Sequence, residues 1–298
     1  MNFIITYHCP NGCGYCFMPR TKRVFEKGAV NGSSSEMSFE SFKRNLDHIA
    51  LLYKGKQLPS VGILGGEPLS AKDFPFIITY AATYSGGVKL YTSLNAPSQN
   101  LAYIKPNVHL IWNNFHSKDN QKTPEHKNLK KLLKKMPPEM ITSSVTITKG
   151  SKSDDYKYLL NNFKKYGINK VRLALDVKNH KKFINDKSVY EIINFLLENG
   201  MKINFVNCGH MLKSMFTAEQ VKKLKTETVN FNFNDCSKNF PIDVLPSGKV
   251  VPCLPFAGVK SKINFVDYKN INALKKDLKE TFFARNGHYA NSDNICLK

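Results

Sequence analysis

Three cysteines fall within the first sixteen residues, in a segment that reads His8-Cys9-Pro10-Asn11-Gly12-Cys13-Gly14-Tyr15-Cys16-Phe17, a C-x3-C-x2-C arrangement. Thiolates set this close can converge on one inorganic centre, and soft sulfur donors favour an iron–sulfur cluster or zinc. A structural zinc site normally takes a fourth ligand. His8 is adjacent, but it is expected still to lie in a strand, where neighbouring side chains point to opposite faces. Two centres therefore stay open. One is a zinc knuckle completed by His8 or a distant residue; the other is a three-cysteine iron–sulfur cluster with one iron left to take a ligand. Only the second does chemistry.

A second signal is Gly65-Gly66-Glu67-Pro68, directly after the apolar run Val61 to Leu64. Paired glycines at the carboxyl end of a strand let the backbone approach a ligand closely, and their polar groups suit a zwitterion such as the amino acid end of a cofactor. Taken alone the same four residues make a common turn, since Gly and Pro are first of all chain punctuation. Two further polar segments follow apolar runs: Tyr91-Thr92-Ser93-Leu94-Asn95, and Asn113-Asn114-Phe115-His116.

The elements that must position these residues are short apolar runs with β-branched residues, alternating with amphipathic stretches. Strands are expected at Phe3 to Tyr7, Ser60 to Leu64, Val88 to Thr92, Val108 to Trp112, Thr142 to Thr148 and Lys170 to Leu175. Helices are expected from Ser38, Thr123, Ser153 and Lys187, with Ser38 as N-cap and Glu40 in the first turn. Six βα units in series imply parallel strands in a barrel or an open doubly wound sheet, and either topology places ligands at the carboxyl ends of the strands. After about Met201 the pattern becomes α+β. A strand at Lys202 to Val206, a helix at Thr217 to Leu224 and a strand at Val229 to Phe233 are expected there. A hairpin of Ile242 to Leu245 and Val250 to Pro252 follows, turning at Pro246-Ser247-Gly248-Lys249, and then a last helix from Ile271 to about Arg285. The loop Val24 to Glu36, with Gly28, Gly32 and three consecutive serines, reads as polar and irregular.

Together the two motifs are specific: the chain resembles the radical S-adenosylmethionine superfamily. Members carry the C-x3-C-x2-C loop after the first strand, an aromatic residue before the third cysteine, and a Gly-Gly-Glu-Pro-like segment after the second strand. The resemblance covers the six βα units to about residue 200. It implies a partial (β/α)6 TIM-like barrel, in line with the strand count. It also implies a 4Fe-4S cluster on Cys9, Cys13 and Cys16, whose fourth iron is chelated by the amino and carboxylate groups of S-adenosylmethionine. Tyr15 would lie near the adenine, and Gly65, Gly66 and Glu67, with Pro68 closing the motif, would receive the methionine amino group. Ser93 and Asn95 would lie near the ribose or methionyl group, unless they are only turn residues. Asn113, Asn114 and His116 would face the substrate, unless Asn-Asn merely opens a loop.

The distal cysteines add a third motif. Cys236, Gly248 and Cys253 form C-x11-G-x4-C across the expected hairpin, similar to the opening of the SPASM and twitch extensions of this superfamily, whose cysteines begin an auxiliary iron–sulfur cluster. A full extension has a longer run of cysteines, and here only Cys296 follows. Three ligands, Cys236, Cys253 and Cys296, would hold a second cluster with an open iron, or Cys208 would be a fourth; alternatively the hairpin persists without a cluster and the cysteines are small apolar filler. The division expected is a barrel core over 1–205 and a SPASM/twitch-like extension over 206–298.

Composition narrows the class further. With 298 residues, 42% hydrophobic and 22% charged, the chain is neither disordered nor fibrous. Its most apolar stretch, Phe74 to Tyr84, is far shorter than the ~18–20 residues of a membrane span, and the N-terminus lacks the pattern of a signal peptide. A cytoplasmic protein without membrane partners is expected, with its seven cysteines serving metal or redox chemistry rather than disulfides. The net charge of +21 would attract nucleic acid or other anions. However, only five of the 44 basic residues are arginines, Arg20, Arg23, Arg44, Arg172 and Arg285, and the guanidinium fork is the preferred tool for phosphate and base recognition. The dense run Lys127 to Lys135 reads as the solvated face of a helix.

The activity implied by the resemblance is reductive cleavage of S-adenosylmethionine to a 5′-deoxyadenosyl radical that takes hydrogen from a substrate. Electrons would come from a low-potential donor such as flavodoxin or ferredoxin. Members with such extensions often modify ribosomally made peptides, so a precursor peptide is the expected partner, its leader bound by another protein or by the extension. A nucleotide, an RNA or a small carbohydrate is the alternative substrate. A zinc-dependent nucleic-acid-binding module without catalysis is the rival from another class, and the Gly-Gly-Glu-Pro segment speaks against it.

Overall fold

The computed structural model describes residues 1–11, 13, 15–16, 35–113, 123–176, 187–205, 216–227, 230–231, 240–252 and 261–283. Among these the apolar runs form ten strands: β1 (Asn2–Thr6), β2 (Val61–Gly65), β3 (Val88–Thr92), β4 (Val108–Asn113), β5 (Ile141–Ile147), β6 (Lys170–Leu175), β7 (Lys202–Phe205), β8 (Asn230–Phe231), β9 (Asp243–Val244) and β10 (Val250–Val251). They make one sheet in the order β10-β9-β1-β2-β3-β4-β5-β6-β7-β8, with β9 and β10 antiparallel and every other neighbouring pair parallel.

All but one of the crossovers are α-helical: α1 (Phe39–Leu52), α2 (Phe74–Ala81), α3 (Pro124–Leu132), α4 (Ser153–Lys165), α5 (Lys187–Glu198) and α6 (Ala218–Glu227), with a 3-10 stretch (Ser98–Tyr103) between β3 and β4 and α7 (Ile271–Phe282) after the hairpin. Ser38 caps α1, accepting from Ser41 N at 3.2 Å, with Glu40 in the first turn as the sequence implied. Phe42, Leu46 and Ile49 then recur on one face and are buried. In α3 the lysines Lys127, Lys130 and Lys131 are exposed while Leu129 and Leu132 are buried, so that basic run is a solvated face. Helix α2 was not expected from periodicity. Its residues are nearly all apolar, so the run Phe74-Pro75-Phe76-Ile77-Ile78 carries no polar face by which a helix is recognised.

The sheet has two unlike faces. On the helix side Phe3 packs edge-on to Phe42 and Phe265, with ring centres at 5.2 and 6.4 Å. The other face carries Asn2, Lys89, Tyr91, His109, Ser144, Lys170, Arg172 and Asn204. It is concave: Arg172 on β6 lies 5.5 Å from the ring centre of Tyr91 on β3, although three strand spacings along a flat sheet would be about 14 Å. The sheet therefore curls around these side chains as an open barrel, the partial barrel that the strand pattern and the motifs implied.

Two edges are covered. β7 and β8 prolong the parallel run beyond the sixth strand, and the hairpin β9–β10 joins the free edge of β1, so the sheet runs unbroken past residue 205. The hairpin turns as expected: Gly248 at φ +77° donates to Leu245 O at 2.8 Å. An exposed β1 edge would leave a row of backbone donors and acceptors unpaired, and β9 satisfies them. No helix among the described residues is long and apolar enough to cross a membrane.

Candidate active site at the carboxyl ends of the strands

The cysteine loop leaves β1 and is clamped where the chain returns. Tyr7 N donates to Ser35 O at 3.0 Å, Thr6 Oγ1 to Glu36 Oε1 at 3.2 Å, and Met37 N to Ile5 O at 2.9 Å. Cys9, Cys13 and Cys16 are half-buried and form no disulfide, with Cys16 N donating to Cys13 O at 3.0 Å. Burial pushes the Cys9 thiol up, against a hydrogen bond from the Asn11 backbone, and Glu67 and Cys16 add like charge. Burial pushes Cys13 further, to about 11, with Cys16 and Cys9 adding to it. Cys9 and Cys13 thus each feel the charge of Cys16, and burial favours the neutral thiol at both. Among the described residues no group of three or more His, Cys, Asp or Glu side chains is set to hold a single metal ion. A four-iron cluster is a larger body than one ion and spaces its sulfur ligands more widely.

Tyr15 lies over the inner face of the sheet. Burial raises its phenol strongly, and the phenol hydrogen-bonds both the Cys13 sulfur and Thr146 on β5. It therefore ties the cysteine loop to the far wall of the barrel, beside the space where the resemblance puts an adenine.

The Gly-Gly-Glu-Pro segment is held against β1 by backbone alone. Gly66 N donates to Thr6 O and Glu67 N to His8 O, both at 2.8 Å. A Cβ on Gly66 would lie 2.0 Å from His8 O, and one on Gly65, whose φ is +148°, 2.2 Å from Thr6 O. The glycines are required because two strand ends cross at contact distance. Glu67 is fully enclosed, at 0% exposure. Its Oε1 accepts from Thr92 Oγ1 at 2.5 Å and Leu69 N at 3.2 Å, and its Oε2 from Ser93 N at 2.8 Å and Ser93 Oγ at 2.5 Å. Burial pushes this carboxyl up while the four donors pull it down, and burial prevails. Pro68 is buried and opens the short 3-10 turn Pro68–Ser70.

Ser93 and Asn95 complete the network. Asn11, inside the cysteine loop, donates to Ser93 Oγ at 2.8 Å, and Asn95 Nδ2 donates to Asn11 Oδ1 at 2.5 Å. Between them Leu94 is buried in the left-handed region at φ 64°. Asn128 of α3 holds that conformation by donating to Leu94 O at 2.8 Å and Ala96 O at 3.0 Å. The ends of β1, β2 and β3 are thereby one hydrogen-bonded unit. Asn11, Thr92 and Asn128 were not singled out from the sequence. Asn11 alone carried a signal, its place between two cysteines.

Asn113 ends β4, its register partner Ser144 on β5. Asn114, His116, Cys208, Cys236, Cys253 and Cys296 lie outside the described residues.

No protein-family model and no curated protein matches this sequence. Solved structures do match it. SuiB of Streptococcus suis bound to the precursor peptide SuiA superposes with a TM-score of 0.65 at 15% identity, over 96% of this chain and 66% of that one. SuiB bound to S-adenosylmethionine gives 0.63 at 16% identity over 99% and 72%, and SuiB alone gives 0.59 at 16% over 93% and 64%. The chain thus spans about two thirds of the SuiB chains. At such identity the likeness is one of fold alone: the open, mostly parallel α/β barrel expected from the strand pattern is shared with SuiB.

Proposed function

We propose that this chain is a radical S-adenosylmethionine enzyme that matures a ribosomally made peptide. The observation that carries the reading is the fastening of the strand end that leads into the three-cysteine loop to the Gly-Gly-Glu-Pro backbone, at the carboxyl ends of β1 and β2. The fold is one that SuiB, solved with S-adenosylmethionine and with a precursor peptide, shares. The donor set suits the implied cluster: three half-buried sulfurs that repel as thiolates would be stabilised by iron, and no fourth protein ligand is required.

In this reading Cys9, Cys13 and Cys16 hold the 4Fe-4S cluster, and the backbone of Gly65 and Gly66 receives the cofactor's amino group. When bound, cluster and cofactor together supply one-electron cleavage of the sulfonium to a 5′-deoxyadenosyl radical. The chain's own work is positioning. Glu67, Ser93, Asn11 and Asn95 fix the cysteine loop, and Tyr15 walls the cofactor space with its phenol on Thr146 while leaving a ring edge for an adenine. Asn113, Asn114 and His116 belong to the substrate end. We assign residues 1–205 to the catalytic core and 206–298 to an extension whose Cys236, Cys253 and Cys296 hold an auxiliary cluster. A flavodoxin or ferredoxin serves as donor, in the cytoplasm.

The test is anaerobic reconstitution. A brown protein whose visible band bleaches on reduction, and which forms 5′-deoxyadenosine from S-adenosylmethionine, supports the reading; a colourless zinc protein refutes it. Iron content of two clusters, falling to one in Cys253→Ala, supports the auxiliary cluster, and iron for one cluster in both proteins removes it. A short peptide encoded beside this chain and changed in mass on incubation supports the substrate class.

A further inference from the structure

Among the charged groups on the inner face of the sheet that the site above leaves unused, Arg172 lies deepest in the row nearest the cysteine loop. Arg172 stands midway along β6, and the parallel registers set Asn113, Ser144, Arg172 and Asn204 side by side across β4 to β7. Its guanidinium donates to Ser144 Oγ at 3.0 Å and lies against the Tyr91 ring. Among the described residues no carboxylate forms an ion pair with it.

A guanidinium has five N–H donors in a planar fork, and a half-buried one with one hydroxyl and one ring as partners keeps most of that capacity for a ligand. Such a cation is costly without an anion, and the complement of its fork is a carboxylate taken in two parallel bonds. Burial draws its acidity in the same direction, making the charged form harder to keep without a partner.

The surroundings favour an anion as well. On the same face, toward the amino ends of the strands, stand Lys89, Lys170 and Lys202. Next to Arg172 in the row, Asn204 has its Oδ1 buried with no partner among the described residues, an acceptor waiting for an N–H. Tyr15 reaches Thr146, one inner-face step above Ser144, so Arg172 lies about 7 Å along the strand below the contact of the cysteine loop.

We infer that Arg172, Ser144 and Asn204 form a carboxylate-binding position for the peptide substrate, which accepts an Asp or Glu side chain or a terminal carboxylate. The guanidinium takes both carboxylate oxygens, Ser144 steadies the fork, and Asn204 Oδ1 accepts an N–H of the same peptide. This inference rests on the proposed function, in which the cofactor's own carboxylate is engaged by iron and the barrel interior is left to substrate.

The test is arginine labelling by phenylglyoxal, read residue by residue by peptide mapping on the reconstituted protein with S-adenosylmethionine bound. N-acetylglutamate α-amide and N-acetylalanine probe a side-chain and a terminal carboxylate, and N-acetylglutamine amide is the neutral control. At least one acid should slow labelling of Arg172 by about fivefold while exposed Arg44 is unaffected, and which acid does so tells the two sources apart. Equal protection by the neutral amide, or none by either acid, overturns the inference. In a second arm, folded Arg172→Gln protein should bind S-adenosylmethionine within about twofold of wild type; a loss of about tenfold would give the guanidinium to the cofactor and overturn the inference too. Labelling is read without turnover. A wild-type protein that forms no 5′-deoxyadenosine therefore counts against the catalytic reading, whereas an unprotected Arg172 in a protein that does form it counts against this one.

Discussion

Gly66→Ala should detach the cysteine loop from the sheet. The added Cβ would stand 2.0 Å from His8 O, 2.5 Å from His8 C and 3.0 Å from Tyr7 C. All three are backbone atoms, so no rotamer change relieves the clash, and an ordinary contact near 3.4 Å needs a separation larger by roughly 1.4 Å. Movement of that size breaks the two 2.8 Å bonds, Gly66 N to Thr6 O and Glu67 N to His8 O. Left unmade in a buried place, the pair costs about 2–6 kcal/mol, or a melting temperature lower by about 5–20 °C. Cys9 follows His8 directly, so the first of the three proposed cluster ligands is displaced with the strand end. The assay is thermal unfolding of the metal-free protein together with iron bound after anaerobic reconstitution. Gly55→Ala is the control: at φ +72° with open space around it, it carries backbone strain alone, about 1–2 kcal/mol. If Gly66→Ala melts no lower than Gly55→Ala and binds full iron, the backbone crossing does not fasten the loop and the reasoning fails.

Other outcomes follow from the same geometry. Cys13→Ala should abolish 5′-deoxyadenosine formation, and substantial product from that variant would remove the cysteine loop from the chemistry. Glu67→Gln places an amide where four donors converge, and should cost about 1–3 kcal/mol in urea unfolding and reduce iron uptake; a neutral effect on both would mean that the network does not hold the strand ends. His109, buried beside Lys170 and Lys89, is pushed down from 6.5 to about 4. Its folded form takes a proton less readily than its unfolded form, so its contribution to stability is complete above about 6.5 and is lost as pH falls toward about 4. Unfolding free energies at several pH values across that window should show a shallower acid loss in His109→Gln than in wild type; parallel curves would dismiss it.

Much of this molecule could be read from the chain. The strand runs from Phe3, Val88, Val108 and Lys170 form as expected because β-branched and apolar runs bounded by polar segments mark parallel strands by local pattern. The helix starts at Ser38 and Thr123 were readable for the same reason, each being a cap set before an amphipathic stretch. Helix α2 was not, because a helix apolar all round has no periodicity. The partners of Glu67 also escaped: the residue was visible in its motif, but Thr92 and Ser93 lie a strand away, and only packing brings their donors to its carboxylate.

By itself the sequence determined how closely three thiols follow one another, since the spacing of Cys9, Cys13 and Cys16 is covalent and no fold can change how many residues separate them. The tertiary structure alone decided what surrounds that loop. Register put Asn11 against Ser93 and Asn95, and the curl of the sheet brought Arg172 over Tyr91 from three strands away. Cross-strand neighbours are chosen by hydrogen-bond register and twist, and neither leaves a mark on the order of residues along a single strand.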